Sequence, residues 1–304
     1  MNELPKVYII ILNFNSYKDT IECIRSLENI SYSNYEIIIV DNNSMDNSVK
    51  EISNNCPNYK LLLSLENLGY ASGNNIGIKY ALEQGAEYVC ILNNDVIVKE
   101  DFLEPLIETF NTDRTIGMVG PCICEYSDRN TVQAMGAYIN LYRGLAMGQY
   151  EGQYYNQIDK RFIQVDYLGG ACFVVKAEVF KTISLLPENY FLFYEETEFC
   201  LRARKSEYKL VCISDSRVYH KRSATISKYS GLSYYFLNRN RIIFMRRNAN
   251  AIQKIIFTPY IILEGIGRIF LRGEQFKLFK FYYDGLRADI NSIDLKKINY
   301  YLNK

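Results

Sequence analysis

Three short stretches hold residues able to do chemistry. In CILNNDVIV, residues 90–98, Asn93, Asn94 and Asp95 interrupt an otherwise apolar run. Two amides and a carboxylate cost free energy in such surroundings unless they are paired. A divalent ion bound to a diphosphate needs only one or two protein carboxylates, because phosphate oxygens and water complete its shell. Asp95 can therefore be a metal ligand without a second acid, and Mn²⁺ also accepts imidazole. The one histidine, His220, ends the apolar stretch SRVYH and is followed by Lys221, Arg222, Ser223 and Thr225. These are phosphate-binding types, so His220 is a candidate second ligand beside a phosphate grip. The plainer reading is a structural or exposed histidine.

Glu195, Glu196 and Glu198 form the third cluster, at the expected start of a helix. Acidic residues there are favoured by the helix dipole alone. Glu195 and Glu196 would point about 100° apart, so one can face a cleft as a general base while the other makes structural contacts. Glu198 and Arg202 read as an i, i+4 pair. A further loop, ENLGYASGNNIG (66–77), contains Asn67, Gly69 and Asn74 and opens a helix. Glycines admit a ligand to the backbone, and a helix N-terminus favours anions. It is neither the G-x-G-x-x-G pattern nor a Walker loop, and a plain turn is the alternative.

The elements that must position these residues alternate. VYIIIL (7–12), YEIIIV (35–40), YKLLLS (59–64) and EYVCIL (87–92) read as continuous apolar strands. Between them lie helices near 15–30, where Ile21, Ile24 and Leu27 recur and Asn15 or Ser16 can cap, near 46–55, and near 70–84, ending at Gly85. A further helix is expected near 101–111. The pattern predicts an α/β fold with a mostly parallel sheet covered by helices on both faces. Ligands bind outside the carboxyl ends of such strands. Those ends read Asn13-Phe14-Asn15, Asp41-Asn42-Asn43-Ser44, Glu66-Asn67-Leu68-Gly69 and Asn93-Asn94-Asp95. All four are polar, which favours one shared site. Beyond 112 the pattern loosens. TVQAMGAYIN and FIQVDYLGGACFVV read as strands, followed by a helix from about Glu195 to Ser206, a strand near 209–213 and another to Tyr219. The tail reads as two or three amphipathic helices.

Bulk properties narrow the classes. The 304 residues suit one large domain or a domain with an appendage, divided here at 1–228 and 229–304. Net charge is +1, so no overall field attracts nucleic acid, but its distribution is uneven. Residues 1–228 carry 22 Lys and Arg against 29 Asp and Glu, whereas 229–304 carry 13 against 5. A basic tail on an acidic body suggests an anionic surface or substrate for the tail. The eight cysteines form no C-x-x-C pair and several lie in apolar runs. Reduced thiols in a cytoplasmic protein are expected, without a disulfide framework or a zinc site. No run reaches the ~18 apolar residues of a membrane span. The nearest, IIFTPYIILEGIGRIFL (255–271), is broken by Pro259, Glu264 and Arg268.

VYIIILNFNS, IIIVDNNSMDNS, ENLGYASGNNIGIKYAL, YVCILNNDV, VDYLGGACFVVKAEVF, FYEETEFCLRARKSEYKL and VYHKRSAT, in this order over residues 7 to about 225, together form a specific set. The chain resembles the family 2 inverting glycosyltransferases of GT-A fold and is similar to their rhamnosyltransferase-like branch. The resemblance implies a GT-A catalytic domain over 1–228 and a nucleotide-diphospho-sugar donor, UDP- or dTDP-linked, with rhamnose among the sugars. It implies that Asp41 contacts the base, that Asn13, Asn15, Asn67 and Gly69 lie near the nucleoside, and that Asn43, Asn74, Asn93, Asn94 and Arg222 also belong to the nucleotide-sugar site. Gly169 and Gly170 would line the sugar and acceptor cleft. Asn93-Asn94-Asp95 stands where the family has D-x-D, with Asp95 and His220 holding Mn²⁺ or Mg²⁺. The missing first Asp weakens a ribose or metal role for Asn93. The family's E-D pair falls on Glu195-Glu196, which carries the base role to Glu196, although Glu replaces Asp there and leaves Glu195 in contention. The acceptor would be a glycan or lipid-linked hydroxyl. The tail could lie on the inner face of a membrane, form a homodimer interface or cap the acceptor site. A nucleotidyltransferase is disfavoured because LNFNSYKD lacks the glycine-rich loop it would need, and a non-catalytic sugar-nucleotide-binding protein is disfavoured by the intact Asp95, His220 and Glu pair.

Overall fold

The computed structural model describes residues 4–221 and 230–291. The chain runs β1 (Val7–Asn13), α1 (Tyr17–Leu27), β2 (Tyr35–Asp41), α2 (Ser48–Asn55), β3 (Lys60–Leu63), α3 (Tyr70–Glu83), β4 (Tyr88–Asn93), β5 (Val96–Val98) and α4 (Leu103–Thr112). Then come β6 (Ile116–Glu125), β7 (Val132–Ala134), β8 (Ala137–Asn140), β9 (Leu145–Gly148), β10 (Phe162–Val165), β11 (Cys172–Lys176), α5 (Ala177–Ile183), α6 (Glu195–Lys205) and β12 (Lys209–His220). Three helices follow: α7 (Ser230–Asn248), α8 (Ala251–Arg272) and α9 (Lys277–Arg287).

The main sheet has the order β10-β12-β6-β11-β4-β1-β2-β3, with β5 on β12 and β7 on β6. β1 to β4 are parallel, as is β12 with β6, whereas β11 runs antiparallel to both its neighbours. The mostly parallel sheet expected from the apolar runs is therefore present. Its strands alternate between two cores, as period-two side chains must. Ile9, Ile11, Ile37, Ile39, Cys90 and Leu92 pack under α1 and α4. Tyr8, Ile10, Ile38, Val40 and Ile91 pack under α3, α5 and α6. Each buried isoleucine contributes about 2–3 kcal/mol. All eight cysteines are buried free thiols.

Register aligns the polar strand ends. Asn13 pairs with Asp41 across β1 and β2, and Leu12 pairs with Asn93 across β1 and β4. One expectation fails locally: Ser16 precedes α1, but its hydroxyl bonds Asp19 and caps no backbone N–H. The stretch 162–175 is two strands, because Asp166–Ala171 leaves the sheet. β6 has no counterpart in the pattern reading. Pro121 and two glycines hide it, and Pro121 sits where β12 bulges between Ile213 and Arg217, a place a strand proline is tolerated.

Candidate functional site

The site forms where β1, β2 and β4 end, β11 begins and β12 finishes. At its first corner, the Asp41 carboxylate accepts from Asn13 Nδ2 at 2.7 Å, Ser44 Oγ at 2.7 Å and the Ser44 N–H at 2.9 Å. Asn13 in turn accepts from Thr20 Oγ1 at 2.7 Å. Asp41 is buried, and one lone pair of its Oδ1 remains for a ligand donor. Asn15 and Asn43 sit in this turn with φ of 50° and 61°. Both are exposed. Asn15 bridges to Ser44 and Met45 through its backbone and side chain. The amide turned inward from the second strand end is Asn42, adjacent to the expected Asn43. It donates to Asn67 Oδ1 at 3.0 Å and to the Gly69 carbonyl.

Gly69 adopts φ +95°, and a Cβ there would lie 2.1 Å from the Phe191 carbonyl oxygen. This close approach, with Tyr70 N–H donating to Phe191 O at 2.8 Å, joins the 66–69 loop to the segment before α6. Tyr70, the next residue, is a site residue that motif reading missed. Its hydroxyl lies 2.9 Å from Gly170 O and 3.2 Å from Asn93 Oδ1. Asn93 is thus tied to the centre of the site, while Asn94 turns toward α1, donating to Thr20 Oγ1 at 3.0 Å. Asn74 is buried within α3 and donates to the Tyr70 carbonyl.

Antiparallel pairing of β5 with β12, His220 opposite Val96, joins the two expected metal ligands. His220 Nε2 lies 3.1 Å from Asp95 Oδ1. On the other side of the ring, His220 Nδ1 lies 2.6 Å from Gln133 Oε1, and Gln133 Nε2 donates to Glu125 at 3.1 Å. An amide oxygen at Nδ1 puts the proton there, so the Nε2 lone pair faces a carboxylate. Two electron-pair donors at that distance require a proton or a cation between them, and metal-bound histidines carry this kind of outer hydrogen bond. The donor set therefore fits a divalent ion. Among the described residues no three His, Cys, Asp or Glu side chains converge on one point, so the rest of the shell would come from phosphate oxygens and water. Lys221 is not a free phosphate ligand: its ammonium pairs with Asp19 at 2.8 Å and Glu22 at 2.6 Å. Arg222, Ser223 and Thr225 lie outside the described residues.

The third corner is the start of α6. Phe191, Phe193 and Tyr194 all have φ near +70°, a conformation that costs each side chain of order 1 kcal/mol. Asn240 of α7 holds this segment, its amide reaching the carbonyls of Tyr190, Leu192 and Phe193 within 2.7–3.0 Å. Glu195 and Glu196 are consequently buried at the helix start. Burial pushes Glu196 up to about 7, opposed by its backbone N–H and by hydrogen bonds with Tyr70 and Glu195. Glu195 is raised well above the usual range by burial and then by the charge of Glu196. Gly170 abuts this pair: a Cβ there would sit 1.9 Å from Glu196 Oε1. Gly169 has no such constraint, its nearest neighbour being Ile123 at 3.7 Å. The expected Glu198–Arg202 pair does not form. Glu198 accepts from Arg247, Tyr190 and Asn248, while Arg202 donates to the carbonyls of Ile183 and Leu185. The strained loop turns α6 so that Glu198 faces α7.

Comparisons with known proteins bear on the family and the fold. The chain is similar to the low-salt glycan biosynthesis hexosyltransferase Agl10 of Haloferax volcanii, 27% identical over 86% of this chain and 82% of that one. It is also similar to the dTDP-rhamnosyl transferase RfbF of Shigella flexneri, 22% identical over 80% of each chain. In fold it matches GalNAc-T7 solved with UDP, GalNAc and Mn²⁺, at a TM-score of 0.67 and 16% identity, covering all of this chain and 57% of that one. A mannosyltransferase from Pyrobaculum calidifontis in complex with GDP-Man and Mn²⁺ gives 0.58 at 13% identity, covering 99% and 86%. These are GT-A structures, and the sheet with its flanking and C-terminal helices shares that fold. The model for glycosyl transferase family 2 matches residues 8–184, more than half of the chain, and the protein belongs to that family as a nucleotide-sugar glycosyltransferase.

Proposed function

We propose that the chain moves a sugar from a UDP- or dTDP-linked donor, with rhamnose among the candidate sugars, to a hydroxyl of a glycan or lipid-linked acceptor, with inversion at the anomeric carbon. The observation that carries this reading is the Glu196 carboxyl, raised to about 7 and packed against Gly170. A base of that strength is half ionised near neutrality, where proton transfer is most effective. Glu196 takes the proton of the acceptor hydroxyl, whose oxygen forms the new bond to the anomeric carbon as the bond to the diphosphate breaks. The electron pair leaves with the diphosphate. Glu195, its carboxyl raised by burial and by the charge of Glu196, shares a hydrogen bond with Glu196, which disfavours a second negative charge in the site. Asp41 offers a lone pair to a pyrimidine N3–H, which favours uracil or thymine, and the similarity to a dTDP-rhamnosyl transferase supports the same choice. Asp95 and His220 would hold Mn²⁺ or Mg²⁺, which when bound neutralises charge on the departing diphosphate.

Thermal shift with UDP-, dTDP- and GDP-sugars in the presence of Mn²⁺ identifies the donor. Proton NMR of the product made from it then reads the anomeric configuration. An inverted product that disappears in Glu196→Gln supports the reading. Retained configuration, or full transfer by Glu196→Gln, overturns it.

A further inference from the structure

In sequence, Glu264 and Arg268 interrupt the apolar run of α8. In the structure both turn inward. Glu264 binds Arg241, and Arg268 binds Glu274 and Asn238. The opposite side of α8 is left without charge. Ile252, Ile255, Ile256, Leu263, Ile266 and Phe270 are all exposed there, Leu263 by 67% and Phe270 by 74%. At 100° per residue these six fall within about one third of the helix circumference. Eighteen residues of rise make this stripe roughly 27 Å long, far beyond the scattered exposed side chains of an ordinary surface.

Beside the stripe, Ile262, Tyr283 and Leu286 border a mostly apolar groove of about 320 Å³ between α7, α8 and α9. Lys280 and Arg287 stand exposed about one helical turn to either side of Tyr283, Arg287 over its ring at 5.1 Å, with Lys277 and Arg272 at the turn between α8 and α9. Of the acids here, Asp284 is buried, Glu264 and Glu274 are half-buried in ion pairs with Arg241 and Arg268, and Asp289, just past α9, is exposed. The outer surface is therefore apolar in the middle and basic at the rim.

No described helix is long and apolar enough to cross a membrane, so this geometry suits a helix lying in an interface. We propose that the outer face of α8 and α9 docks on an anionic lipid bilayer, with α8 parallel to its surface. Charge selects the bilayer over a second copy of the chain: a two-fold contact would set this cationic rim against itself, whereas anionic headgroups neutralise it. The face is joined to the catalytic segment, because α7, against which α8 and α9 pack, holds the 190–193 carbonyls through Asn240 and Glu198 through Arg247. Docking would therefore set the base at a defined height above the headgroups.

Vesicle binding is read without donor or acceptor, so its outcome is independent of the catalytic roles proposed above. The full chain is sedimented with vesicles of equal phosphatidylglycerol and phosphatidylcholine, and with phosphatidylcholine alone. Binding is expected only to the anionic vesicles and should fall as salt rises. The doubly substituted Ile255→Glu/Leu263→Glu should lose at least about tenfold in affinity. Lys280→Glu/Arg287→Glu should lose at least about fivefold for each charge. Both variants change exposed residues, so unchanged thermal unfolding and an unchanged UDP shift certify the fold. Equal binding to neutral vesicles, equal binding by the apolar variant, or no binding by the parent chain overturns the assignment. A parent dimer that the apolar variant dissolves, seen by analytical ultracentrifugation, assigns the stripe to a second copy and overturns it as well.

Discussion

Gly170 presents its Cα directly to the Glu196 carboxyl, and a single methyl group at that position would come within 1.9 Å of Oε1. The clashing atom is the end of a flexible side chain, so Gly170→Ala should displace Glu196 and leave the fold intact. A misplacement of about 1 Å at a reacting group costs roughly 100-fold in rate. Transfer by Gly170→Ala should therefore fall about 100-fold with a melting temperature within a few degrees of the parent. The neighbouring Gly169→Ala, which has only ordinary contacts, should keep most activity. Steady-state kinetics and a thermal melt on both variants check the contrast.

The raised carboxyl of Glu196 sets a pH dependence. The base form grows as pH rises through about 7, so kcat should climb through that region and level above it. The linkage to stability has the opposite sense. A carboxyl whose folded value lies above its unfolded value stabilises the fold at low pH and loses that contribution as pH rises toward the folded value. Glu196→Gln should thus match the parent near pH 4 and exceed it above pH 7, by on the order of 3 kcal/mol. Urea unfolding at the two pH values reads this directly. Glu196→Gln should retain donor binding and lose transfer by about 100- to 10,000-fold.

The pairing of Asp95 with His220 makes a metal prediction separable from catalysis. Asp95→Ala and His220→Ala should each abolish Mn²⁺ binding measured by calorimetry in the presence of UDP. Gln133 orients the imidazole through Nδ1, and loss of such an outer partner costs roughly 10- to 100-fold in metal affinity. Gln133→Leu should fall in that range while leaving metal-free UDP binding unchanged. Equal Mn²⁺ affinity in His220→Ala would remove the histidine from the ligand set.

Much of this site was legible because apolar runs and polar strand ends are local signals. VYIIIL followed by Asn13, and YEIIIV followed by Asp41, announce a strand and its ligand end together, and register then aligns them. The 95–220 meeting was foreseen through motif order, and its physical cause is the short β5 pairing on β12. Other parts had no local signature. Tyr70 resembles any of the chain's 27 tyrosines until the fold sets it beside Gly170. Asn42 and Asn43 differ only in which one the turn points inward, which depends on a positive φ at Asn43. β6 was hidden because Pro121 is acceptable only beside a bulge in a strand ninety residues later. Glu198 was assigned to its helical neighbour Arg202, since the competing partner Arg247 lies in another element.

That last contact yields a stability prediction tied to the site. Burial alone would raise the Glu198 carboxyl, but hydrogen bonds from Arg247, Tyr190 and Asn248 outweigh it and hold it below the usual range. Its stabilising contribution is accordingly present above the ordinary glutamate value near 4.3 and is lost as pH falls through the lower folded value. Removing one partner of a buried pair leaves the other charge uncompensated, at a cost of about 3 kcal/mol or more. Arg247→Ala should lose about that much at pH 7, and the deficit should shrink toward pH 4 as Glu198 in the variant takes up a proton. Because Glu198 lies on the same helix as Glu195 and Glu196, transfer should weaken along with stability. Arg202→Ala, whose guanidinium donates to carbonyls of the 183–185 turn and lies over the Phe199 ring without a hydrogen bond to Glu198, should show a much smaller pH-dependent recovery. Denaturant unfolding of the two variants at both pH values distinguishes the two arginines. If the deficit of Arg247→Ala stays constant with pH, the Glu198 charge is not its source.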